Sequence, residues 1–309
     1  MKIAVLGVGL IGGSIGLAAR RRVGAQVVGY DSEASALSGA VKLGAIDEPA
    51  FEIADAVRGA DVVFVATPVG AAAQSARQAL DAAGAECVVS DVGSTKRAIV
   101  GAISDSRFVG GHPLAGAETS GVENAREDLF DGATWYLTPV AGAAWPAAGA
   151  SSPADATPPP PIDAAPWAVE RLRGLIERIG ARPVAIDPDA HDRLMANISH
   201  LPHVFANVLV ARAACAVELD GIAAESGALG AGPSFRDATR VAGANTAIWT
   251  DIYLSNRDVL TDAIDDAIER LGEVRVALAE GDSGALAAWN EQARAEREKL
   301  RRAGLAPGS

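Results

Sequence analysis

Short apolar, β-branched runs bounded by glycine and polar turns recur at 2–6, 26–30, 61–66, 87–91, 107–110, 134–138 and 182–186. Alanine-rich stretches with helical spacing separate most of them. Such alternation predicts βαβ units on a mainly parallel sheet, so residues 1–187 read as one doubly wound, Rossmann-like α/β domain. After Asp187-Pro188 the strand signals stop. Residues 189–219, 235–256, 257–280 and 284–303 carry apolar positions at helical intervals, broken by Gly221, Gly227, Gly230, Gly232-Pro233 and Gly281. This predicts an all-helical second domain over 188–309. Pro202 falls inside its first helix and is expected to kink it near His200 and His203. The rhythm breaks once in the first domain, at 141–166, where Ala, Pro and Ser dominate and large apolar residues almost vanish. Such a segment cannot bury enough surface to offset its ordering entropy, so a disordered insertion is expected there.

Composition narrows the classes of function. The 309 residues are 49% hydrophobic and 21% charged, an ordinary globular balance with material for a sizeable core. Lys and Arg number 27 against 39 Asp and Glu, a net charge of −12, which argues against nucleic acid or an anionic membrane as partner. The N-terminus lacks the pattern of a signal peptide, and no uninterrupted apolar run reaches the roughly 18 residues of a membrane span. Cys87 and Cys215 have neither disulfide nor metal spacing. A cytoplasmic protein without a metal site is expected. No βαββαβ pattern follows the last helix, so no appended regulatory domain is expected.

Gly7-x-Gly9-x-x-Gly12 directly follows the first apolar run, and Leu10 and Ile11 open the helix after it. The first glycine allows a tight turn, the second lets a pyrophosphate approach the backbone, and the third lets helix and strand pack closely. The second run ends in Tyr30-Asp31, an acid suited to the ribose hydroxyls of a dinucleotide; its charge repels a 2′-phosphate and favours NAD over NADP. A helix cap is the alternative use of Asp31. Thr67-Pro68 ends the third run at the same sheet edge, as a cofactor-wall turn or a plain one.

Two further loops reach that edge. One is Asp91-Val-Gly-Ser94-Thr95-Lys96, and the other follows Gly-Gly-His112-Pro. A hydroxyl and an imidazole converging beside a dinucleotide suit the oxidation of an alcohol, with His112 taking the proton. Ser94 could instead cap a helix starting at Thr95, and His112 could be a turn residue before Pro113. His112 is one of only four histidines; His191, His200 and His203 are the others.

The Gly-Val-Gly-Leu-Ile-Gly-Gly-Ser-Ile opening, the Asp-Val-Gly-Ser-Thr-Lys loop and the His-Pro-Leu-Ala-Gly-Ala-Glu-Thr-Ser-Gly block come in that order. Ser199-His-Leu-Pro-His203 and Phe235-Arg-Asp-Ala-Thr-Arg240 follow. In this order the chain resembles the prephenate dehydrogenases of tyrosine biosynthesis and their arogenate and cyclohexadienyl relatives, from residue 1 to about 300 with the insertion excepted. The resemblance implies NAD-dependent oxidative decarboxylation of prephenate and a homodimer formed through the helical domain. It gives His112 as the proton acceptor, Ser94 as the group orienting the ring hydroxyl, Arg240 as the carboxylate anchor and His203 as facing the substrate side chain. It further implies an acidic gate of Glu118 and Asp237, Trp249 at the pocket mouth, and Ser199, His200 and His191 at matching positions. Without the resemblance, Asp237 and Arg240 read as an i, i+3 ion pair and Trp249 as core. Competing readings are arogenate as substrate, a β-hydroxyacid or imine reductase, and a non-catalytic NAD-binding regulatory protein.

Overall fold

β-branched runs dominate the strands, and in this computed structural model, which describes residues 1–116, 119–138, 164–219 and 232–304, they pair into two sheets. Five parallel strands stand in the order β3-β2-β1-β4-β5: β1 (Lys2–Leu6), β2 (Gln26–Tyr30), β3 (Glu48–Ala50), β4 (Val62–Val65) and β5 (Val88–Asp91). Alternate residues of β1 enter opposite cores, Ile3 and Val5 on one face, Ala4 and Leu6 on the other. Both faces are therefore covered, as a parallel sheet requires. Helices α1 (Leu10–Ala18), α2 (Ala34–Leu43), α3 (Ile53–Val57), α4 (Val69–Ala82), α5 (Arg97–Gly101) and α6 (Pro166–Arg178) accompany the strands. The order changes direction at β1, so the loops after β1 and β4 flank the crevice where such sheets bind ligands.

β3 has no counterpart among the expected strands. Glu-Pro-Ala is too short to show a period, and its proline is tolerated because the strand lies at the sheet edge. The strand expected at 107–110 is also corrected. Only Phe108 bridges to Val89 of β5, and the named strand is β6 (Gly111–Pro113), three residues later. It runs antiparallel to β7 (Thr134–Leu137), which is parallel to β8 (Arg182–Ala185). Two glycines make this passage from the edge of β5 into the second sheet possible, since a Cβ at Gly111 would lie 2.7 Å from the Asp91 carbonyl oxygen. Most of the expected insertion, 141–163, lies outside the described residues. Its last three residues are ordered, against expectation: Ala164 is buried, Ala165 N donates to Ser106 O, and Pro166 opens α6.

The helical part begins with α7 (Pro188–Met195), whose first turn is capped by Asp187 accepting from Ala190 N. A π-helical turn (Ala196–His200) leads into α8 (Leu201–Leu219). The disturbance expected from Pro202 thus takes the form of a widened turn just upstream, which absorbs the missing donor without breaking the helix. By length and composition Pro188–Cys215 could cross a membrane, which the run of apolar residues alone had not suggested. It carries the buried polar groups His191, Asp192, His200 and His203, whose partners lie in this same unit. The single helix expected over 235–256 is two: α9 (Pro233–Thr239) and α10 (Thr246–Ser255). A 3-10 turn (Arg240–Gly243) separates them, and the Asn245 side chain restarts the chain by accepting from Ala247 N and Ile248 N.

Residues Met1–Arg257 form one compact unit and Asp258–Ser309 a second. The second holds α11 (Arg257–Glu280) from Asp258 onward and α12 (Ser283–Arg302). Asp282 caps α12, and Glu291–Arg294, Glu296–Lys299 and Glu298–Arg301 pairs at i, i+3 lace its exposed face.

Candidate active site

The glycine loop leaves β1 with Gly7 at φ 95°, and a Cβ there would sit 2.5 Å from Ala66 O. At Gly12 a Cβ would sit 1.8 Å from Gly7 O, whereas at Gly9 it would meet nothing within 4 Å. The outer glycines therefore serve close packing, and the middle one leaves room at the N-terminus of α1, where Gly9 caps without a side-chain hydrogen bond. Exposed amides at a helix start are a ready anion site. Asp31 follows β2, with one carboxylate oxygen accepting from Val8 N at 2.8 Å and the other from Glu33 N at 3.0 Å. It does not cap α2, whose N-cap is Glu33. Thr67 turns out of β4, and its hydroxyl is buried with no protein partner. Room at Gly9, bare amides and an orphaned hydroxyl on the facing wall all fit a dinucleotide.

A cleft of about 600 Å³ opens from this loop. Gly9, Leu10, Ile11, Gly12, Thr67, Pro68, Ser94, His112, Ser199, Arg240 and Trp249, all singled out in the sequence, line it together with Met195, Leu114, Ile248 and Ile252. Gly7, Asp31, His191, His200, His203 and Asp237 are not among its lining residues. His200 is fully buried, Asp237 is exposed on α9, and His203 stacks behind Trp249 with ring centroids 3.7 Å apart and planes 5° apart. Glu118 lies outside the described residues. His203 Nδ1 also bonds the Tyr253 hydroxyl, so Trp249 lies between its ring and the cleft.

His112 sits on β6 opposite Tyr136 of β7, 9% exposed. Its Nδ1 lies 2.8 Å from His191 Nε2, and His191 Nδ1 lies 2.8 Å from Asp192 Oδ1. The carboxylate can only accept, so His191 carries its proton on Nδ1 and accepts at Nε2. His112 must then donate from Nδ1, which leaves Nε2 with a lone pair for the cleft. This tautomer is assigned from the hydrogen-bond pattern. Asp192 also receives Lys96 N at 2.7 Å and Arg97 N at 3.0 Å, capping α5 from another element. The helix starts at Arg97, so Ser94 is not its cap and faces the cleft. Sequence reasoning missed Asp192. A lone acid beside a histidine on a helix carries no signal until the fold brings α5 to it.

Burial pushes the His112 pKa well below 6.5, and the neighbouring His191, Lys96 and His200 reinforce this. His191 is lowered by burial, against the pull of Asp192. Burial alone would raise the Asp192 carboxyl, but the hydrogen bonds from His191, Arg97 and Lys96 prevail and lower it. His200 falls to about 4, chiefly by burial. The folded state thus prefers neutral histidines, whereas unfolded ones protonate near 6.5. Stability is complete above pH 6.5 and is lost as pH falls toward the folded values, about 4 for His200. That residue alone amounts to on the order of 3 kcal/mol. The melting temperature should fall steadily on acidification across this window, and His200→Asn should flatten the slope. A pH-independent melting temperature there would contradict the buried neutral state.

Residues 15–146 match the family model described as prephenate dehydrogenase, nucleotide-binding domain, and 187–292 the one described as prephenate dehydrogenase, dimerization domain. The prephenate dehydrogenase of Bacillus subtilis (strain 168) is 33% identical over 305 residues, covering 96% of this chain and 76% of the relative. The solved structure of prephenate dehydrogenase from A. aeolicus, in complex with hydroxyphenyl propionate and NAD+, is similar with a TM-score of 0.80 and 26% identity, covering 97% and 98% of the two chains. Synechocystis arogenate dehydrogenase is similar with a TM-score of 0.75 and 28% identity, over 97% and 100%.

Proposed function

The chain belongs to the prephenate dehydrogenase family, and we propose that it carries out the NAD-dependent oxidative decarboxylation of prephenate to 4-hydroxyphenylpyruvate, in the cytoplasm. The observation that supports this best is the cleft, where a neutral imidazole with a free lone pair and an arginine meet beside a dinucleotide loop. NAD, when bound along Gly9, Asp31 and Thr67, supplies the acceptor for the hydride leaving the ring carbinol carbon. His112 Nε2 takes the hydroxyl proton while Ser94 orients that hydroxyl. His191 and Asp192 hold the imidazolium that forms. Arg240 fixes a carboxylate, so the ring is presented in one orientation. Loss of the ring carboxylate as CO2 leaves its electron pair in the ring, and His112 returns the proton to the phenolate oxygen.

Prephenate is placed ahead of arogenate because both family models and the Bacillus subtilis relative are described as prephenate dehydrogenases. Similarity to the Synechocystis arogenate dehydrogenase supports the second reading. Steady-state rates on both substrates, each with NAD and NADP, decide. A kcat/KM higher on arogenate would overturn the preference, and no turnover of either would overturn the proposal in favour of a non-catalytic NAD-binding protein.

Cofactor choice rests on Asp31. Asp31→Ser should raise kcat/KM with NADP relative to NAD by roughly tenfold or more, because it removes the charge that repels a 2′-phosphate. NAD itself should bind more weakly, since Val8 N and Glu33 N lose their acceptor. An unchanged NADP to NAD ratio would remove Asp31 from this role.

We take the functional division to lie at 187/188, with residues 188–309 serving substrate binding and dimerisation. On α8, Val208, Leu209 and Val210 are 51%, 41% and 41% exposed, an apolar surface that wraps around the helix rather than lying on one stripe of it. Light scattering should report twice the 31.4 kDa chain mass. Leu209→Asp should shift the protein toward monomer, and a variant that remains fully dimeric would exclude this face.

A further inference from the structure

Lys96 and Asp91 are both fully buried and paired with each other, yet neither lines the cleft nor enters the chemistry described above. A buried ion pair loses so much hydration that apolar residues of similar volume often stabilise a fold as well. Its contacts suggest another use. Asp91 ends β5, and its Oδ2 accepts from Gly93 N at 2.8 Å, the amide before Ser94. Its Oδ1 accepts from Gly111 N at 3.1 Å, the amide before His112. Lys96 Nζ donates to the same Oδ2 as Gly93. The backbone N–H of Lys96 donates to Asp192 Oδ1, the oxygen that holds His191, which in turn holds His112. The circuit Asp91, Lys96, Asp192, His191, His112 closes on itself through Gly111.

We propose that the buried Asp91–Lys96 pair is a positioning device for the base: it sets the Ser94 loop and the His112 strand in register and holds the His112 ring in one tautomer. This rests on His112 being the base and deepens that reading. The carboxylate takes one amide from each loop, so neither loop can shift without breaking a buried hydrogen bond. The ammonium anchors the loop whose backbone N–H groups Asp192 caps; it pairs directly with Asp91 and feels the Asp192 carboxylate at longer range. The ionisable groups around His112 are His191 and Asp192 from α7, His200 from the turn after it, Asp91 and Lys96 from β5 and its loop, and Tyr136 from β7. Two of them, Lys96 and Asp91, belong to the device, and the cation opposes protonation of His112.

The test uses full-length Lys96→Gln, which keeps a donor to Asp91 without the charge, and Lys96→Met, which keeps neither. Displacing reacting groups by about an ångström costs up to roughly 100-fold. The expected result for Lys96→Met is a kcat at least about tenfold lower with the KM for NAD within about twofold. Lys96→Gln should recover part of that loss. In both, the acid limb of the kcat/KM profile should move to higher pH. Nitrogen-15 spectra of the substrate-free protein should show His112 as the Nδ1–H tautomer in the wild type and as a mixture in Lys96→Met. Unchanged kcat, acid limb and tautomer would overturn the proposal. So would a parallel loss of kcat, NAD affinity and melting temperature, or failure of both variants to fold, since the pair would then be a general structural element. Should the wild type turn over neither prephenate nor arogenate, the functional reading fails, while the tautomer spectra still decide the positioning role.

Discussion

His112→Asn is expected to lower kcat on prephenate by about 10²–10⁴-fold, the usual contribution of a positioned general base. Asparagine keeps a donor toward His191 in a smaller side chain, and the Asp91 anchor is to the Gly111 backbone, so the β6 strand should survive. NAD affinity should stay within about twofold, because the dinucleotide loop and His112 belong to different strands. The pH profile is the sharper part of the prediction. Burial and the nearby His191, Lys96 and His200 lower the His112 pKa well below 6.5, so the wild type keeps a neutral base under mildly acidic conditions. The acid limb of kcat/KM should therefore lie below pH 6.5 in the wild type and be absent from the residual activity of His112→Asn. Prephenate-dependent NADH formation across pH measures both. A variant with near wild-type kcat and an intact acid limb would assign the proton to another group.

The reason His112 stood out in the sequence as the candidate base is topological. His112 and Ser94 follow β-branched runs, and residues after parallel strands converge at one sheet edge whatever else the fold does. The same reasoning pointed to Gly7, Gly9, Asp31 and Thr67, loop residues after strands that the pattern delineates well, and to Gly12 in the first turn of α1. The pattern failed where strands are too short to have a period. Glu48–Ala50 contains a proline, and the Gly110-Gly111 pair let the chain leave β5 early, so His112 proved to lie within a strand rather than beyond one.

What holds His112 in place was not legible, because it is tertiary. Lys96 reads as an ordinary loop lysine and Asp192 as one acid among 39. Only the approach of α7 to the start of α5 makes Asp192 a cap for one element and a partner for His191. Histidine content alone could not separate His200, buried away from the cleft, from Ser199 beside it, which lines the wall. The widened turn at Ala196–His200 determines which side chains face which way, and only the proline after it hinted at that turn. The helix break at Gly243 was equally hidden, although Asn245-Thr246 is a recognisable cap signal.

Arg240→Gln carries the second large expected effect, a rise in the KM for prephenate of about 10–150-fold. Charge-assisted hydrogen bonds contribute roughly 1.5–3 kcal/mol, and each 1.4 kcal/mol is about tenfold in affinity. Arg240 stands in the 3-10 turn between α9 and α10, a placement that follows from Asn245 restarting the helix rather than letting α9 run on. Among the described residues lining the cleft it bears the one permanent positive charge, so no neighbour on that wall can replace it. A carboxylate held by a planar fork is oriented as well as bound, and Arg240→Lys should therefore restore only part of the affinity. The KM for NAD should change by less than about twofold, because the dinucleotide loop lies on β1 and α1. If the arginine merely stabilised its turn, kcat, both KM values and the melting temperature would move together. A KM rise confined to prephenate, graded Gln above Lys above Arg, is what carboxylate recognition requires.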